Sequence, residues 1–179
     1  ADTMGMSPLA LLQQQLGTYG LEAVVPKPQV TSGVDITTPL QGAQVLMSLG
    51  FPAPGAAFLS GNISQESSWN GQRSWGEVMG DGSDRNGGLV SWMDDAQKNH
   101  YRLRRIEERL GVPINQATDE QQLQAMIWEM KQYYPEAYSI FMNPRATERQ
   151  LIYASRMYWG YGHEGSRYTT ARTVQTQLS

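Results

Sequence analysis

Apolar residues recur along the chain in short blocks at helical spacing, several of them opened by a capping pair and closed by glycine. Ser7-Pro8 leads Leu9, Leu12 and Leu16 into Gly17, and Thr38-Pro39 leads Leu40, Ala43 and Met47 into Gly50. A hydroxyl at the N-cap and proline at the first helical position suit a helix start, because the amides there have no partner within the helix. Between these blocks, residues 18–37 hold no sustained period and include Pro26-Lys27-Pro28, which predicts an extended arm. After Pro52 and Pro54 the stretch "LSGNISQESSW", residues 59–69, has the spacing of a short helix running out at Trp69. Residues 71–88 are dense in glycine and turn residues and predict a small β-hairpin or ordered loop.

From Trp92 to Leu110 the spacing predicts a helix again, with Ala96, Leu103, Ile106 and Leu110 inward, Asp94 and Asp95 in the first turn and Gly111 as the stop. Thr118 with Gln121 forms a capping box ahead of Leu123, Met126, Ile127 and Met130, and Thr147 with Gln150 caps a last long helix through Leu151, Ala154 and Tyr158. A shorter helix is expected over Glu136 to Met142. The fold class is therefore mainly α (α+β), with one non-helical insert, an N-terminal helix and arm over residues 1–40 and a compact domain over 41–179.

Composition narrows the function. The 179 residues are 40% apolar and 17% charged, enough apolar material for one domain with its own core. A net charge of −3 and a pI near 5.4 give no basic footprint for nucleic acid. There is no cysteine, so thiolate nucleophiles, disulfides and Cys-based zinc sites are excluded. With only His100 and His163, and no second His after His163-Glu164, no metal site and no cofactor are expected. No apolar run approaches membrane-spanning length, and the N-terminus has no secretion signal; because it opens on Ala, processing or excision from a longer chain stays open.

One position breaks the apolar pattern. At about 100° per residue, Leu59, Ile63 and Glu66 share a helix face within roughly 60° of one another, which puts an acid on the buried stripe. A carboxyl group there loses solvation in its charged form and is expected to hold its proton near neutral pH. Glycosidic bond cleavage requires such a proton donor, because the departing sugar oxygen must be protonated as the bond breaks. The plainer alternative is a solvated acid at a fraying helix end. Five Trp and nine Tyr against three Phe make the aromatic set one with polar edges, suited to covering sugar faces as well as to ordinary packing.

The fragments "GNISQESSWN", "GGLVSW", "EQQLQAMIWEM" and "ATERQLIYASRMYWGYGHEGSRYTTA", in this order, resemble the bacteriophage tail lysozyme family, virion-associated peptidoglycan hydrolases with a lysozyme-like fold. The pattern N-I-x-x-E-S followed by G-G-L-x-x-W is also similar to goose-type lysozymes and lytic transglycosylases. The resemblance spans about residues 41–173. It implies Glu66 as the catalytic acid, Ser67 after it, and Gly87-Gly88-Leu89 closing the insert, with Trp92 beginning the next helix. Ser91 departs from the Gln common in relatives. The late segment, with Tyr158, Trp159, Gly160 and Arg167, would form the far wall of a cleft and a packing corner. Substrate-binding candidates are accordingly Ser67, Trp69, Ser91, Trp92, Tyr158 and Tyr161.

A second carboxylate, where one is used, would come from the insert, and the candidates are Glu77, Asp81 and Asp84; "GDGSD" is also ordinary turn chemistry. The resemblance implies peptidoglycan as partner, action on its MurNAc-GlcNAc β-1,4 bond during phage entry, and virion proteins as partners of residues 1–40. Hydrolase, lytic transglycosylase and inactive virion module all stay open. The "RLRRIEER" run, Arg102 to Arg109, reads as a solvated helix face, His163 as a hydrogen-bonded structural side chain, and Met126, Met130 and Met157 as core filler.

Overall fold

Thr38 accepts a hydrogen bond from the Gln41 amide at 3.2 Å and starts α1, Pro39–Ser48. The computed structural model describes residues 35–72, 74–75 and 85–179, so the helix read at Leu9–Leu16 and all of the arm before Asp35 lie outside the described residues. The next helix, α2 (Ala53–Ser67), begins six residues before Leu59 and buries ten of its fifteen residues, among them Phe58, Leu59, Asn62 and Ile63. A helix buried nearly all round must be central, and α2 packs against α1 and three later helices. Small residues make the close approaches fit. A Cβ on Gly61 would come within 2.3 Å of the Arg167 carbonyl oxygen.

The exit from α2 is sharp. Ser68 and Trp69 both take left-handed backbone, at φ 52° and 59°, a strained conformation for two consecutive non-glycine residues. This bend folds the Trp69 indole back onto Gly42 of α1, where a Cβ would sit 2.0 Å from the ring.

A four-stranded antiparallel sheet follows, in spatial order β1 (Ser74–Trp75), β2 (Arg85–Gly87), β3 (Trp92–Asp95), β4 (His100–Tyr101). Here the structure corrects the sequence reading, because Trp92 begins a strand and the helix expected from Trp92 starts only at Arg102, as α3 (Arg102–Leu110). Trp92 and Asp94 are buried on either side of exposed Met93, a period of two that the helical template misread. Asp94 still serves a helix N-terminus. Its carboxylate accepts the Arg104 amide at 3.0 Å from the neighbouring strand rather than from within the helix.

After a short 3-10 turn at Ile114–Gln116 come α4 (Asp119–Tyr133), α5 (Pro135–Phe141), α6 (Glu148–Trp159) and α7 (Arg167–Leu178). Both predicted capping boxes are present, Thr118 with Gln121 and Thr147 with Gln150. The sequence pattern did not reveal α7, whose buried Tyr168, Ala171 and Val174 are spaced among threonines and glutamines. The "RLRRIEER" run is a solvated face only in part: Arg104 and Glu108 are exposed, but Arg102 is buried, and Glu107 pairs with Arg85 while accepting the Ile114 amide at 2.9 Å. His163, expected as a hydrogen-bonded structural side chain, is exposed in the loop before α7. Met126 and Met130 are core residues, whereas Met157 is half-buried and faces a cleft. Among the described residues no helix is long and apolar enough to cross a membrane.

Candidate active site

Glu66 lies in the last turn of α2, next to the left-handed bend, at the edge of a cleft of about 830 Å³. Two buried polar side chains hold the neighbouring loop against it. Ser67 donates to the Leu89 carbonyl at 2.9 Å, and Gln122 of α4 accepts the Leu89 amide at 2.8 Å while donating to the Gly71 carbonyl at 2.7 Å. The "GGLVSW" turn is thereby pinned to both α2 and α4. Gly88, at φ 77°, and Ser91, at φ 54°, let the chain turn tightly enough to return as β3. The Ser91 hydroxyl then donates to the Glu66 carbonyl at 3.1 Å, satisfying one of the acceptors that a helix end leaves open.

The Glu66 carboxylate is not sealed in an apolar face. Its side chain is 20% exposed and receives a hydrogen bond from Arg167 Nη2 on Oε1 at 2.5 Å. Arg167, the first residue of α7, is itself buried, stacks on the Tyr161 ring at 4.0 Å and reaches the Asn62 side-chain oxygen at 3.4 Å. The acid expected from periodicity is thus a half-open carboxyl gripped by a cation, because α7 packs across Gly61 and brings its N-terminus to the end of α2. Arg167 is more than the packing corner that the resemblance implied.

The other candidates divide. Ser91, Tyr158 and Tyr161 line the cleft together with Glu66, Asn86, His100 and Trp159. Ser67 is fully buried and is spent on backbone carbonyls, so it holds the loop and cannot touch a substrate. Trp69 is 3% exposed and borders a separate cavity with Asp35 and Asp119 that does not include Glu66. Trp92 has no exposed surface, and its indole donates to Glu129 at 2.8 Å. Tyr158 shows only 1% of its surface, and its hydroxyl also donates to Glu129, at 2.6 Å. Glu77, Asp81 and Asp84 lie outside the described residues; among the described residues Glu66 is the one carboxylate lining the cleft.

Glu129 was missed, although the signal that drew attention to Glu66 marks it too. Gln122, Met126 and Glu129 share a face of α4 as closely as Leu59, Ile63 and Glu66 do on α2. Burial pushes the Glu129 carboxyl up, but the hydrogen bonds and charge of Arg102 and the donors from Tyr158 and Trp92 outweigh it and hold the group below the ordinary glutamate value. Tyr158 moves the opposite way, since burial and the adjacent Glu129 charge keep its phenol protonated. Among the described residues no three acidic or histidine side chains gather where a metal ion could sit.

A buried central helix that delivers one carboxylate to a cleft, with a small antiparallel sheet directly after it, is the lysozyme-like class of α+β domain. The family model for phage tail lysozyme matches residues 37–178, and the chain belongs to that family. The family is one of lysozyme-like, virion-associated peptidoglycan hydrolases. No curated protein and no solved structure matches the chain.

Proposed function

We propose that the protein cleaves the MurNAc-GlcNAc β-1,4 bond of peptidoglycan glycan strands with Glu66 as general acid. The observation that carries this reading is the placement of Glu66, a carboxyl fixed at the end of a buried helix at the edge of a cleft of about 830 Å³. Arg167 holds Oε1, which orients the group and leaves Oε2 to carry the proton to the departing sugar oxygen. Tyr134, Trp159 and Tyr161 offer aromatic surface for sugar rings, and Asn86 and His100 offer polar groups on the sheet side.

In hydrolysis, water adds to the anomeric carbon as the glycosidic C–O bond breaks, and a second carboxylate accepts the water's proton. Glu77, Asp81 and Asp84 of the insert are our candidates for that base. A lytic transglycosylase is the second reading, favoured by Glu66 being the one cleft carboxylate among the described residues. There the sugar's own 6-hydroxyl attacks, and Glu66, having given its proton to the leaving group, takes the hydroxyl proton back. We assign the activity to phage entry, with residues 1–40 docking on other virion proteins.

Mass spectrometry of fragments released from purified sacculi tests both readings. Reducing MurNAc ends are expected for the hydrolase, and 1,6-anhydro ends would move the assignment to the transglycosylase. Free stem peptides with intact glycan strands would overturn the glycosidase reading.

A further inference from the structure

Glu129 takes no part in the chemistry above, yet it is the most heavily engaged carboxylate among the described residues. Its side chain has no exposed surface. Oε2 accepts from Trp92 Nε1 at 2.8 Å, from the Tyr158 hydroxyl at 2.6 Å and from Arg102 Nη2 at 2.9 Å. Oε1 accepts from Arg102 Nε at 2.8 Å and from Arg105 Nη2 at 3.4 Å. Donors therefore arrive from β3, α3 and α6 on a carboxylate carried by α4. With its acceptor sites filled and held charged by Arg102, Glu129 has no lone pair to offer a substrate proton, which excludes it as the missing base.

What it does control is the position of the groups around it. Arg102 and Tyr158 line the cleft, and the Arg102 guanidinium lies 4.9 Å from the Tyr158 ring centre and 5.3 Å from that of Tyr134, a third cleft residue. Arg102 also donates to the Tyr158 carbonyl at 3.3 Å. Through Trp92, the same carboxylate grips the strand that carries Met93 on the sheet side of the cleft. One buried anion thus ties the sheet wall to the helical wall. An apolar core could supply cohesion without a carboxylate; bidentate and phenolic hydrogen bonds add fixed direction.

We propose that Glu129 is a positioning residue for substrate binding, holding the sheet side and the helical side of the cleft in register for a glycan strand. This rests on the peptidoglycan reading, and the test separates the two. Binding of soluble, uncrosslinked glycan strands is measured by calorimetry in the Glu66→Gln chain, where turnover does not intervene. Tyr158→Phe and Glu129→Gln are then added singly and together, with near-ultraviolet circular dichroism and thermal melts to confirm folding.

Tyr158→Phe deletes one hydroxyl and is expected to keep the fold while weakening Kd by about 10-fold, since a small misplacement of a binding wall has effects of that order. The double variant is expected to bind no worse than Glu129→Gln alone, because the phenol acts through the carboxylate. A folded Tyr158→Phe chain with unchanged Kd would overturn the proposal, and so would independent, additive losses. Should Glu129→Gln fail to fold, the Tyr158→Phe result decides. Absence of any binding by the Glu66→Gln parent would instead overturn the peptidoglycan reading and this proposal with it.

Discussion

At the level of single residues, what matters is how a carboxylate is held. Glu66 meets a guanidinium that is buried, stacked on Tyr161 and also in reach of Asn62, so its orientation depends on the fork of Arg167 rather than on charge alone. Arg167→Lys keeps the charge and loses the fork. Initial rates of turbidity loss on sacculi are expected to fall about 10-fold or more in that variant, as for a displaced reacting group. An unchanged rate would show that a point charge suffices. Periodicity made Glu66 legible because Leu59 and Ile63 frame it within one helix. Arg167 lies 101 positions away in sequence, so no local pattern could announce the pair. Trp92 and Tyr158 were recognisable as notable aromatic residues, yet only the fold shows that their polar edges turn inward to Glu129 instead of outward to sugar.

The helices and strands were legible where a local rule decided them. Thr118 and Thr147 cap their helices through the predicted boxes, and replacing Thr118 by Ala is expected to cost about 1 kcal/mol in urea unfolding. The span from Trp92 to Asp95 was not, since four residues with two inward positions satisfy a strand and a helix template alike. Pairing with β2, Arg85 opposite Asp94 and Gly87 opposite Trp92, settles it in the fold. Close packing of α2 against α7 was equally invisible, because nothing in "SGN" names the partner. Gly61→Ala places a methyl group 2.3 Å from the Arg167 carbonyl. Overpacking there is expected to lower stability by about 1–3 kcal/mol and, by shifting the start of α7, to lower activity more than Thr118→Ala does. Matching urea curves with wild type would contradict the stated fit.

Across the whole molecule, Glu129 links stability to pH. Its carboxyl lies below the ordinary value of 4.5 in the folded state, so the folded state binds protons less readily than the unfolded chain. The stability it contributes is then fully present above about pH 4.5 and is lost as pH falls through the depressed folded value. Asp119 runs the other way, since burial pushes its carboxyl up and protonation on acidification relieves that cost. Glu148 is also lowered by Arg172, but that pair is exposed and contributes little. Urea midpoints are accordingly expected to fall between pH 6 and pH 3, and the fall is expected to flatten in Glu129→Gln. A slope unaltered by that substitution would place the acid sensitivity elsewhere.

Glu66 is proposed to supply the proton for glycan cleavage. The most direct test compares the wild-type chain with Glu66→Gln at equal concentration on purified sacculi, with circular dichroism confirming that both are folded. The amide keeps the shape and part of the hydrogen bonding but has no proton to give, so the rate of turbidity loss is expected to fall by about 10²- to 10⁴-fold. Equal rates for the two chains would contradict the account.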